Sequence, residues 1–160
     1  MGPISRILNL AWFAAAIAGG AILLAACGGG GKQSTSTPTG GFHVDVTLEE
    51  WSLTPGQTSV PAGSVTFAAA NEGSIEHELV VLKTDLAAGA LPLSGSTVDE
   101  EAAGTVIDEI PEFAAGTTQT LTAELTPGAY VLFCNVSGHY QQGVRSAFTV
   151  SAAPSTGGRY

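Results

Sequence analysis

Between Phe42 and Leu48 apolar and polar residues alternate without a break, Phe42, Val44, Val46 and Leu48 against His43, Asp45 and Thr47. A period of two belongs to a strand with one buried face, and a helix cannot keep such a pattern on one side. Further β-rich runs follow at short spacing: Trp51 with Leu53, then Ser64 to Ala70, His77 to Lys83, Thr117 to Leu125, Gly128 to Cys134 and Val144 to Ser151. Pro55-Gly56 and Pro61-Ala62-Gly63 punctuate them as turns. Short strands at this spacing, with no long helical period beyond the N-terminal segment, predict an all-β fold over residues 42–152, a Greek-key antiparallel β-sandwich.

One segment breaks the rhythm. Asp85 to Gly116 is long for a connection within a compact sandwich, and Asp85, Asp99, Glu100, Glu101, Asp108, Glu109 and Glu112 make it a long acidic insertion. Within it Thr97-Val98-Asp99-Glu100 has the spacing of a capping box, which predicts a short helix ending at Gly104.

The N-terminal 26 residues read as an address. Arg6 supplies the positive charge, Ile7 to Ala26 is apolar and Ala-rich, and Leu24-Ala25-Ala26-Cys27 resembles a bacterial lipoprotein processing site. That resemblance implies a signal peptide over residues 1–26 and a lipid on Cys27. The alternative is a retained helix, since about 20 apolar residues can span a bilayer. Either arrangement puts the domain outside the cytoplasmic membrane, the lipid form anchoring it there. Residues 27–41 then form a flexible Gly/Ser/Thr linker and residues 153–160 a disordered tail, because neither segment holds enough apolar side chains to offset ordering entropy.

Charge narrows the partners. With 5 Lys and Arg against 14 Asp and Glu, a net charge of -9, the chain lacks the cations that nucleic acid demands. A basic protein partner suits it better. If Cys27 carries lipid, Cys134 is the one thiol left, so no intramolecular disulfide can form even in an oxidising compartment. Metal ligation would keep such a thiol from oxidation.

Cys134 and His139 stand five positions apart, on a loop opened by Gly138 and closed by Gly143, so a thiolate and an imidazole can meet at one point. Sulfur plus nitrogen suits copper or zinc, and a further ligand has to come from elsewhere. His77, opening the apolar run to Lys83, is the better of the two remaining histidines, because His43 alternates away from the core face.

The run Gly128-Ala129-Tyr130-Val131-Leu132-Phe133-Cys134, then Gly138-His139, with Asn71-Glu72-Gly73-Ser74-Ile75-Glu76-His77 upstream, resembles the cupredoxins, the plastocyanin and azurin superfamily of blue copper proteins. The resemblance covers Phe42 to Ser151. It implies one mononuclear copper, with His77, Cys134 and His139 as equatorial ligands. The family's axial methionine follows the last glycine, where this chain has Val144, and the only methionine is Met1. The backbone carbonyl of Glu76, or Gln141 or Gln142 through a shifted loop, are the other axial candidates. Family members place an amide directly after the upstream histidine; here that residue is Glu78, and Asn135 beside the thiolate is the candidate to restore the tie by donating to it. The family also implies one electron route over His139 and a second through the residue before the cysteine, here Phe133.

The function so implied is single-electron transfer by a membrane-tethered monomer between redox proteins. Enzymatic copper chemistry would need more histidines for further centres, and only His43 remains. Copper delivery or sequestration, and a copper-free cupredoxin-like interaction module, are the alternatives; Val144 favours the latter, and the retained Cys134 and both histidines oppose it.

Overall fold

A computed structural model describes residues 41–153. The segments expected to be a signal peptide (1–26), a lipidated Cys27 with its linker (to 40) and a C-terminal tail (from 154) lie outside the described residues. In chain order the elements are β1 (Phe42–Glu49), β2 (Ser52–Pro55), β3 (Ser59–Pro61), β4 (Gly63–Asn71), β5 (His77–Lys83), β6 (Leu93–Ser94), β7 (Thr97–Val98), α1 (Glu100–Ala103), β8 (Thr105–Phe113), β9 (Thr118–Leu125), β10 (Gly128–Phe133), α2 (His139–Gln142) and β11 (Arg145–Ser151).

Two sheets form the sandwich, one ordered β2-β1-β4-β9 and the other β3-β11-β10-β5-β8, with β6 and β7 as a separate ribbon. Within this sandwich two pairings are parallel, β1 with β4 and β11 with β3, and the rest are antiparallel. The alternation in β1 does what its period requires. Val44, Val46 and Leu48 are buried against Val65, Phe67 and Ala69 of β4, Leu79 and Val81 of β5, and Leu132 and Phe148 of the facing sheet. Phe67 and Phe148 meet edge to face at 5.6 Å. Each fully buried side chain of this size contributes about 1.5–3 kcal/mol, so the core stabilises the frame that carries the site.

The five-stranded sheet is covered on both faces. Val80 and Leu82 of β5, with Val131 and Phe133 of β10, form a second apolar cluster beneath Leu91, Val98, Ala103 and Tyr140. This explains why β5 is apolar almost throughout, as strands buried on both sides are. The acidic segment is therefore a second layer over the sheet. It is also shorter than its sequence indicates, because residues 105–113 form β8, the edge strand beside β5. Pro111 and the exposed Asp108, Glu109 and Glu112 hide that strand from a hydrophobic pattern. Proline and charge are what an edge position tolerates and what deters pairing with another chain. The short helix α1 does end at Gly104, but its N-cap is Asp99, whose carboxylate accepts from the Ala102 N–H at 3.1 Å, and not Thr97.

Candidate metal centre

β5 and β10 are antiparallel neighbours, with Phe133 opposite Val80. The start of one and the end of the other therefore share a pole. His77 is the first residue of β5, and Cys134 follows the last residue of β10. Gly138, in the left-handed region at φ 83, turns the chain into α2 so that His139 comes back over the thiol. One donor atom from each of His77, Cys134 and His139 lies within 4.8 Å of the others. Cys134 Sγ and His139 Nδ1 are 3.4 Å apart, and the two imidazole centroids 4.9 Å. All three residues are buried. His43 is exposed and pairs with Asp45 at 3.1 Å.

Burial leaves these groups awkward without a cation. It lowers the pKa of both imidazoles, that of His77 further through the neighbouring His139, with Glu50 opposing. It pushes the Cys134 thiol up to about 11, against backbone N–H groups of Glu78 and Val136 that favour the thiolate. Both nitrogens of His77 are buried with no hydrogen-bond partner. Buried polar atoms are rarely left so, and a metal ion is one of the standard reasons. Two imidazoles and one sulfur, converging and shielded from water, fit the trigonal two-histidine, one-cysteine arrangement of electron-transfer copper.

The loop is fixed from both sides. Within it, the Cys134 N–H donates to Val144 O at 3.0 Å and the Val144 N–H to His139 O at 3.2 Å, so Val144, wholly buried, laces the ligand segment together. Glu76 is exposed, as are Gln141 and Gln142 on α2. The Glu78 N–H donates to Cys134 Sγ at 3.3 Å. Burial raises the Glu78 carboxyl to about 7, with Glu109 and Glu100 adding to the effect and the backbone N–H of Asn135 opposing it.

Asn135 makes a different tie from the one expected. Its side-chain amide does not serve Glu78: Oδ1 accepts from the Val98 N–H at 2.6 Å, and Nδ2 donates to Glu100 Oε1 at 2.7 Å and Val98 O at 3.3 Å. Ser137 and Ser96 share a hydroxyl bond of 2.6 Å, and the Gly138 N–H donates to Ser96 O at 2.8 Å. The Tyr140 hydroxyl donates to Ala88 O at 2.7 Å and accepts from the Leu91 N–H at 2.9 Å. The covering segment is thus buckled onto the residues between the cysteine and the histidine. Phe133 is buried beneath it, against Tyr140 at 5.9 Å, so the second electron route implied at that position does not reach the surface there.

Sequence reading missed four participants. Asn71 is buried, and its amide donates to Ile75 O and Phe113 O while accepting from the Gly73 N–H, so it shapes the approach to His77. Glu50 and Trp51, in the turn between β1 and β2, lie against the two histidines: Glu50 Oε1 is 3.9 Å from His77 Nε2, and the part-exposed Trp51 ring meets His139 edge-on at 5.2 Å. Tyr140 is the fourth. A tyrosine beside the ligand histidine and an asparagine in the Asn71–Gly73 stretch were visible as residue types, but only the tertiary structure shows what they reach.

Solved structures with the same fold include a dithionite-reduced auracyanin from the photosynthetic bacterium Roseiflexus castenholzii, 20% identical, covering 70% of this chain and 99% of that one at a TM-score of 0.53. Auracyanin A of Chloroflexus aurantiacus, described as a "blue" copper protein, is 22% identical over 70% of this chain and 100% of its own, with a TM-score of 0.52. Auracyanin B is 23% identical over 68% and 88%, with a TM-score of 0.51. At this identity the likeness establishes the fold. No curated protein sequence matches the chain. The sulfocyanin (SoxE) domain pattern, however, matches residues 52–157, well over half of the chain and including His77, Cys134 and His139, and the chain belongs to that family of blue copper cupredoxins.

Proposed function

We propose that this protein is a mononuclear copper electron carrier and not an enzyme, with His77, Cys134 and His139 holding the metal. The observation that carries the reading is the buried cluster of two imidazoles and one thiol within 4.8 Å, with both His77 nitrogens otherwise unpaired. Copper bound there supplies a one-electron couple. The chain's own contribution is a frame tied at several points: β5 and β10 carry His77 and Cys134, the Val144 backbone closes the ligand loop, and the buckled segment holds it from outside. Little rearrangement is then needed when the charge changes. Burial of all three donors supports retention of the ion over hand-over to another protein, which needs an accessible donor. The unpaired His77 nitrogens oppose a copper-free interaction module.

The location and partners belong to the same proposal. Leu24-Ala25-Ala26-Cys27 supports a lipid anchor outside the cytoplasmic membrane, and the net charge of -9 supports a basic redox partner met by a monomer. Mass spectrometry of the natural protein tests the anchor, which requires an acylated chain beginning at Cys27; a chain that still begins at Met1 without lipid refutes it. Titration of the apoprotein with Cu(II) tests the carrier. One equivalent should give an intense thiolate-to-copper absorption and a reversible one-electron wave, both lost in Cys134→Ser. A colourless product in the unaltered protein would end the electron-transfer reading.

A further inference from the structure

The turn between β1 and β2 is seated on both histidine-bearing segments, and two glycines make the room. A Cβ on Gly143, at φ 126, would stand 2.9 Å from the backbone oxygen of Trp51, and one on Gly73 would stand 2.6 Å from Glu50 Oε1. The Glu50 carboxylate is held by the Ser74 N–H at 2.7 Å, the Ile75 N–H at 3.0 Å and the Ser74 hydroxyl at 3.4 Å. A carboxylate accepting several such bonds stays ionised and stays in place, in keeping with its lowered pKa, led by the Ser74 bond. Its Oε1 then lies 3.9 Å from Nε2 of His77, whose side chain is wholly buried and whose two nitrogens have no other partner.

We propose that Glu50 is the positioning residue for the His77 ligand: its fixed anion keeps the imidazole proton on Nε2, leaves the Nδ1 lone pair for copper, and biases the site toward Cu(II). The proposal rests on the copper reading above. At 3.9 Å the contact is longer than a hydrogen bond, but a lone pair on Nε2 would face the anion and an N–H would face it favourably, which decides the tautomer. His139 supplies the parallel, since its Nδ1 is the nitrogen that faces the thiol, 3.4 Å from Sγ. A carboxylate behind a metal-bound imidazole orients the ring and makes it a stronger donor. The added negative charge stabilises the more highly charged oxidation state more.

Two measurements test this. Nitrogen-15 NMR of the imidazoles in the copper-free protein should show His77 protonated at Nε2. In Glu50→Gln, which keeps an oxygen for the Ser74 and Ile75 N–H groups and removes the charge, the ratio of Cu(II) to Cu(I) affinity should fall about tenfold, a rise of about 59 mV for a one-electron couple. Glu72→Gln, which removes an exposed charge from the same loop, should change the ratio less than about twofold. An Nδ1-protonated His77 in the unaltered apoprotein overturns the proposal. So does a folded Glu50→Gln protein whose ratio changes less than about twofold, or no more than that of Glu72→Gln. If the unaltered protein takes up no Cu(II), the carrier reading fails, while the tautomer still judges the role of Glu50.

Discussion

Replacing Asn135 by alanine should loosen the copper loop by a predictable amount. The side chain makes three hydrogen bonds to the covering segment, two with the backbone of Val98 and one with the carboxylate of Glu100. Removing it strands three part-buried partners at about 1 kcal/mol each, a total of about 2–3 kcal/mol. For a domain slightly over 100 residues, 1 kcal/mol moves the midpoint by about 4 °C, so the copper-free Asn135→Ala protein should melt about 8–12 °C lower. Hydrogen exchange localises the effect, because the Gly138 N–H, bonded to Ser96 O at 2.8 Å, should lose protection far more than amides of β4 and β9. Asn135→Asp should destabilise as well: it keeps an acceptor for Val98 but sets a like charge against Glu100. A fall of less than about 2 °C in Asn135→Ala, with unchanged exchange at Gly138, would show that the buckle bears no strain and that the loop stands by itself.

Other expected outcomes concern the metal and the partner. Because the Cys134 thiol is pushed up to about 11 and must bind as thiolate, while both imidazoles are lowered and already neutral, loading with Cu(II) between about pH 8 and 9, above the Glu78 carboxyl at about 7, should release one proton per ion, measured in weakly buffered solution. Affinity should accordingly rise tenfold per pH unit in that window; release of no proton would contradict a protonated thiol. Val144→Met puts a thioether at the position the cupredoxin pattern gives to the axial ligand. It should lower the midpoint potential while keeping the thiolate-to-copper band, and an unchanged or higher potential refutes the axial reasoning. Association with a basic redox protein should slow as salt rises, and neutralising the exposed Glu101, Asp108 and Glu109 together should flatten that dependence. Asp99 and Glu100 are poor choices for that test, since one caps α1 and the other accepts from Asn135. Rates indifferent to salt would mark these acids as ordinary solvated surface.

What could be read from the sequence follows from how local each signal is. β1 shows itself because its two faces meet different surroundings, and β5, His77 to Lys83 in the sequence pattern and in the structure alike, because both of its faces are covered. Cys134 and His139 share one short loop, so their meeting needs no tertiary knowledge, and His77 was reachable because it opens a strand. β8 escaped because an edge strand is written in charge and proline. The parallel pairing of β1 with β4 escaped because pairing partners leave no mark on alternation. Glu50, a solvated acid by every local measure, gains its meaning from a loop 24 residues away. Asn135 stands beside the thiol in the sequence, but its side-chain bonds run to residues 37 and 35 positions upstream and not to Glu78, which no spacing rule encodes.

The burial of Phe133 has a kinetic corollary for a carrier built this way. With Phe133 roofed by Leu91, Val98 and Tyr140, one approach to the metal pole passes by the exposed Trp51 at the edge of His139. A donor and an acceptor using that approach cannot occupy it together. Each would have to leave before the other arrives, so turnover would saturate as a shuttle does, with the oxidised form of the donor and the reduced form of the acceptor each slowing the other's half-reaction.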